Sequence, residues 1–226
     1  MELTLDYNSE ANSSTFSQGA AGIGYFYLDF YDHDPGNATL LKNARGAANY
    51  TLEQAAVHDL RMAWNEDGNF YTGIPDGAAG IGKLLIRLAD HDNYYLPEAK
   101  KVANWLINNS NPLTVQGKPA NRWRIHNESV SASYRTGMEY CAGIGTFLLD
   151  VAREDGYNQT YLSNATAAAN WLTAEGVNVE IESKEIFELY YKWKSEGSLD
   201  HSWAEGGAGA LFFFDKIVSS VSDAGV

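Results

Sequence analysis

The chain predicts an all-α fold of about four helical hairpins in tandem, joined by short hairpin or loop connections. Two recurrences and the composition support this. A glycine-alanine cluster opens an apolar run four times: Gly19-Ala-Ala-Gly22-Ile-Gly24, Gly77-Ala-Ala-Gly80-Ile-Gly82, Cys141-Ala-Gly143-Ile-Gly145 and Gly206-Gly-Ala-Gly209-Ala-Leu211. An alanine-rich pattern follows three of these clusters. The 226 residues are 45% hydrophobic and 13% aromatic, a globular composition. Clusters lie 58, 63 and 66 residues apart, counted between Gly22, Gly80, Gly143 and Gly209. That spacing marks a repeat in which one supersecondary unit stacks on the next.

The first helix of each unit begins at its cluster. Tyr25-Phe26-Tyr27-Leu28 and Leu84-Leu85-Ile86-Arg87-Leu88 follow the third glycine at helical spacing. Small residues at the helix start let these inner helices crowd around a common axis. Larger aromatics one turn later fill the widening space. Turn signals at His33-Asp34-Pro35-Gly36, Asp92-Asn93 and Asp155-Gly156 end them.

The second helices share their own template. Leu40-Leu41, Ala44 and Ala47-Ala48-Asn49-Tyr50 match Tyr95-Leu96, Ala99 and Val102-Ala103-Asn104-Trp105. They also match Tyr161-Leu162, Ala165 and Ala168-Ala169-Asn170-Trp171. Apolar positions recur at three and four, so these outer helices are amphipathic. The connections Trp64 to Asp76 and Trp193 to Glu205 also repeat one pattern, and Trp64-Asn-Glu-Asp-Gly68 reads as a short hairpin. The connection Asn111 to Met138 is longer and holds Arg122-Trp123-Arg124. No linker or shift in composition divides the chain, so residues 1–226 read as one domain.

The bulk charge excludes several partners. A net charge of −13 argues against nucleic acid and anionic membrane surfaces. No segment reaches 18 continuous apolar residues, so no membrane span is expected. A single cysteine rules out an internal disulfide framework and a multi-cysteine zinc site, and no cofactor is expected. Met1-Glu-Leu-Thr-Leu-Asp6 carries no signal-peptide pattern. Seven Asn-x-Ser/Thr sequons nevertheless point outward, at Asn12, Asn37, Asn108, Asn127, Asn158 and Asn164, with Asn49 closing an alanine-rich helix. Chance would give roughly two at this composition. An extracellular or cell-surface glycoprotein is therefore expected; the alternative is a cytoplasmic protein with Asn-rich loops.

In its glycine clusters, its Ile-Gly pairs and its helix spacing, the chain resembles the lanthionine synthetase C-like (LanC-like) family. The resemblance covers most of residues 16–218. It implies an α/α toroid, normally closed by six or seven hairpins, of which about three and a half to four are present here. Cyclase members of that family hold zinc with two cysteines and a histidine just before the glycine clusters. Here Pro75-Asp76 and Ala204-Glu205 occupy the expected Cys-His positions, and Cys141 lies inside its cluster. The resemblance therefore implies the fold without the zinc chemistry.

Aligning the clusters places Gln18, Asp76, Glu139 and Glu205 at equivalent inner-helix mouths. Acids there suit the positive end of the helix dipole and N-terminal capping. Alternatively Asp76, Glu139 and Glu205 converge as catalytic carboxylates, dividing into acid and base or nucleophile as in glycoside hydrolysis. Gln18, Trp64, Trp123, Trp193, His201 and Trp203 would then bind carbohydrate. The first functional expectation is binding or self-association through exposed repeat ends, into a ring or filament. A carbohydrate-active hydrolase is the alternative, and a zinc-dependent cyclase stands behind both. Two lookalikes are set aside. Gly77 to Lys83 fits a phosphate loop, but Leu84 replaces the magnesium-binding Ser/Thr. Asp32-His33-Asp34 and Asp90-His91-Asp92 are explained as equivalent helix ends.

Overall fold

Each glycine cluster opens a helix, and each alanine-rich pattern forms the helix after it. The computed structural model describes residues 13–66, 68–126, 134–175, 204 and 207–223, with short strand pairs at 178–179, 191–192, 194–195 and 198–199. In chain order, α1 (Ala20–His33) pairs with α2 (Ala38–Glu53), α3 (Ala78–Ala89) with α4 (Tyr95–Asn108), and α5 (Cys141–Glu154) with α6 (Gln159–Glu175). Helix α7 (Gly207–Asp223) follows. The glycine-led helices also touch in series, α1 on α3, α3 on α5 and α5 on α7. The described chain is thus mainly helical, as expected, with little strand.

Two of the connections hold ribbons that periodicity does not foresee. Strands β1 (Ala56–His58) and β2 (Arg61–Ala63) form one antiparallel pair; β3 (Asn111–Val115) and β4 (Lys118–Arg122) form another. Gln116 and Gly117 take φ of 50° and 77°, the paired positive values of a two-residue turn whose twist matches its strands. The hairpin expected after Trp64 is present: Glu66 and Asn69 exchange backbone hydrogen bonds of 2.9 Å around Gly68. The ribbons lie on the outer helices, β2 against α4 and β4 against α6.

The glycines serve two different contacts. The strip of chain before α1, α3 and α5 folds back over the helix start and caps it with backbone carbonyls. Ala20 and Ala21 donate to Ser13 and Ser14 (3.1 and 3.4 Å), Ala78 and Ala79 to Tyr71 and Thr72 (3.0 and 3.2 Å), and Cys141 and Ala142 to Arg135 and Thr136 (3.3 and 3.0 Å). A Cβ on Gly22, Gly80 or Gly143 would run into the carbonyl of Phe16, Ile74 or Met138 in that strip. Only the third glycine faces the next inner helix. Gly24 receives Leu84, Gly82 receives the Phe147 ring, and Gly145 receives the Phe213 ring. The close approach expected of the whole cluster is therefore confined to its last glycine.

Leu84, Phe147 and Phe213 are fully buried, each worth about 1.5–3 kcal/mol in apolar burial. One hydrophobic cluster runs from Ala21 to Ile217. The outer layer is stitched by polar side chains that explain the Asn-aromatic endings. Tyr95 Oη donates to Asn49 Oδ1 and Tyr161 Oη to Asn104 Oδ1, both at 3.2 Å. Asn104 and Asn170 in turn donate to the Leu60 and Pro119 carbonyls at 3.1 and 2.9 Å. Tyr161→Phe is expected to cost about 1 kcal/mol, read as a lower urea midpoint at unchanged slope.

Candidate functional site

The expected polar rim is built mainly from backbone. Phe16 and Ser17 N–H both donate to the Pro75 carbonyl (3.0 and 2.8 Å). Ile74 N–H donates to the Glu139 carbonyl and Glu139 N–H to the Ala204 carbonyl, both at 2.8 Å. The turn before each inner helix thus bonds to the turn of the next. Asp76 joins this rim through its side chain, accepting the Ser17 hydroxyl at 2.6 Å. It is exposed and bridges two units rather than capping its own helix, since α1, α3 and α5 have no side-chain cap. Gln18 is exposed nearby, and Glu139 is half-buried. Glu205, Trp193, His201 and Trp203 lie outside the described residues, as do Asn12 and Asn127.

The two described tryptophans of the proposed sugar platform are core residues. Trp64 and Trp123 are buried, and their indole N–H groups donate to the carbonyls of Thr51 (2.6 Å) and Leu106 (2.7 Å). Each binds the C-terminal turn of an outer helix, sharing its carbonyl with the backbone N–H of Gln54 or Asn109, both at 3.2 Å. Of the sequons, Asn37 and Asn108 are exposed at helix ends. Asn158 opens α6, its side-chain oxygen accepting Thr160 N–H (3.0 Å) and its amide bonding Asp155 (2.8 Å). Asn164 lies within α6 and accepts from Asn121 of β4 at 2.7 Å.

A dense cluster of charge among the described residues was not singled out from the sequence. It lies on the inner helices, around a cavity of about 210 Å³ lined by Tyr25, Lys83, Arg87, Asp90, Asp150, Arg153 and Lys216. Its organising position comes seven residues after each middle glycine: Asp29, Arg87, Asp150 and Lys216. Signs alternate, so neighbouring inner helices attract. Arg87 is paired with both Asp29 and Asp32. Asp150, largely buried, draws Lys216 (3.2 Å), Lys83 (3.5 Å) and Arg153 (3.8 Å). Burial alone would lower the Arg87 guanidinium, but its hydrogen bonds to Asp29 and Asp32 outweigh that and raise it. Arg153 follows the same balance with Glu154 and Asp150. These are cations with carboxylate partners, an arrangement that fixes helix register.

Asp90 is the perturbed acid of the group. Burial, and then repulsion from Glu154, raise its carboxyl above the ordinary 3.8. The folded chain then keeps a proton that the unfolded chain releases, so stability falls as pH rises from the unfolded value through the raised folded one. Asp90→Asn is expected to flatten this loss over the acid range that starts at the ordinary carboxylate value and runs upward. Urea midpoints of wild type and variant across that range read it; identical pH profiles would contradict it.

The residues do not fit a zinc centre or a phosphate loop. Cys141 is buried, and burial pushes its thiol well above the usual range, the opposite of what metal ligation needs. Among the described residues no group of three His, Cys, Asp or Glu side chains could hold a metal ion. Lys83 points to Asp150, and the Ala78, Ala79 and Gly80 N–H groups that would cradle a phosphate already serve backbone carbonyls. His33 closes α1 and His91 follows α3 edge-on to Tyr31, so the two Asp-His-Asp runs do end equivalent helices. No described helix is long and apolar enough to cross a membrane. No protein-family model matches the chain, and no curated protein matches it in sequence.

Proposed function

We propose that the chain is a non-catalytic domain of the LanC-like α/α-toroid kind, acting by self-association rather than by chemistry. The serial packing of α1, α3, α5 and α7, the first three each paired with an outer helix, supports a partial toroid. Pro75 and Ala204 stand where cyclase ligands are expected. Asp76 is occupied by a hydroxyl of the neighbouring unit.

One observation carries the reading. Positions one, four and eight residues after the middle glycine are buried in every later unit: Ile81, Leu84 and Leu88; Ile144, Phe147 and Val151; Ala210, Phe213 and Ile217, none more than 8% exposed. In the first unit the same positions hold Ile23, Phe26 and Phe30, exposed at 36, 57 and 51%. A face that the fold buries three times stands open once, and an apolar face of that kind marks an interaction site. The exposed sequons Asn37 and Asn108 support an extracellular setting. Sedimentation equilibrium tests self-association: a concentration-dependent mass is expected, and a monomer at every concentration contradicts it. An intact mass equal to the polypeptide mass, from native material, would remove the glycoprotein proposal.

A further inference from the structure

We infer that Asn108 carries an N-linked glycan whose first sugar lies in the cleft beside it, stacked on Trp105 and Phe70. This rests on the glycoprotein reading and gives one sequon a structural use.

The cleft measures about 440 Å³ and runs between the β1–β2 ribbon, Phe70 and the last turn of α4. The Phe70 and Trp105 rings lie 6.4 Å apart between centroids, tilted by 43°. Asn108 comes three residues after Trp105, one turn on and on the same helix face. A pyranose ring presents a face of C–H groups and an edge of hydroxyls. The aromatic pair suits the face. His58 and Arg61, which line the opposite wall, suit the edge.

The sequon leaves one amide free. Asn109 Nδ2 donates to the Trp105 carbonyl (2.9 Å) and Ser110 Oγ to the Ile107 carbonyl (2.8 Å). Asn108 is exposed, and its amide bonds to no group among the described residues. Asn158 and Asn164 differ, since their amides donate to Asp155 and to the Thr160 carbonyl, both at 2.8 Å. Asn37 is exposed too, but no Phe, Tyr or Trp lies within five residues of it in sequence. Asn108 Nδ2 can bond the anomeric carbon of a lipid diphosphate-linked oligosaccharide. The diphosphate leaves with the electron pair of its C–O bond, and Nδ2 gives up one proton.

Comparison of the units shows what the sugar covers. Trp105 corresponds to Trp171 of α6, and the place of Asn108 is taken by Ala174 there and by Glu53 in α2. Trp171 is buried at 4% exposure, with the Tyr134 ring edge-on at 6.3 Å. Trp105 has Phe70 at a similar distance, yet its side of the helix stays partly open. The unit that leaves its tryptophan open is the one with a sequon beside it. A sugar seated there removes apolar ring surface from water and stabilises the fold.

Glycopeptide mapping of the native full chain is expected to find sugar on Asn108. Thermal unfolding of the glycosylated chain then reads the docking. Asn108→Gln should melt about 2–4 °C below wild type, and the difference should vanish when both carry Phe70→Ser. A readout that needs no variant is the nuclear Overhauser effect, expected between the Trp105 ring and sugar C–H protons. A glycan on Asn108 with no Trp105 contact, or with no effect on melting, would overturn the docking and leave the glycoprotein reading standing. An unmodified Asn108 beside other occupied sequons would do the same. A native mass equal to the polypeptide mass would overturn both.

Discussion

Gly143→Ala lowers the stability of the fold by about 3 kcal/mol, at the upper end of over-packing penalties, while Gly46→Ala raises it by about 0.5–1 kcal/mol. Both replace a helical glycine with the best helix former, so propensity alone predicts a gain at each. The surroundings decide otherwise. At Gly143 the new methyl overlaps the Met138 carbonyl and sits 2.6 Å from Ile74 Cγ1. The carbonyl belongs to the fold-back that caps α5, so it cannot withdraw without exposing the N–H groups of Cys141 and Ala142. At Gly46, exposed in the middle of α2, a methyl meets nothing within 4 Å. Thermal unfolding reads the pair: Gly143→Ala should melt about 6–12 °C lower for a chain of this size. Equal, small shifts for both variants would remove the fold-back from the account.

Phe147→Ala is expected to cost about 3–5 kcal/mol, because a fully buried ring leaves a cavity that rigid helices cannot close. The ring's partner is the empty side of Gly82, whose Cβ would lie 2.5 Å from Phe147 Cζ. Gly82→Ala should therefore be damaging beside Phe147 and much milder beside Phe147→Leu, whose side chain is shorter. A double-mutant cycle in urea should return a coupling of about 1–3 kcal/mol for this contacting pair. Additive effects would mean that knob and hole do not meet.

Much of the helical framework could be read from the chain, because two templates recur at full length and each covers several turns. Asn49, Asn104 and Asn170 were visible as a pattern before their stitching role was known. The first ribbon escaped because β1 and β2 have only three residues each and offer no period to detect. The ribbons also displaced Trp64 and Trp123 by unequal distances from the helices they close, which hid their shared use as indole N–H donors to helix-end carbonyls. Asp29, Arg87, Asp150 and Lys216 were regular in position yet alternate in sign. A search for repeated residue types passes over them; a search for repeated charge at a fixed register would find them. Asp76 drew attention as an acid at a helix mouth, but its hydrogen bond goes sideways to Ser17, a direction set by how units stack.

The central claim is that every inner helix docks on the next through one register, a bulky side chain into the last glycine of the preceding cluster. Proton–proton nuclear Overhauser effects test it directly. The account predicts contacts from the Gly24 α-protons to the Leu84 methyls, from Gly82 to the Phe147 ring and from Gly145 to the Phe213 ring. If Gly82 and Gly145 show no ring contact, or contact rings elsewhere, the shared register is refuted and the open α1 face loses its meaning.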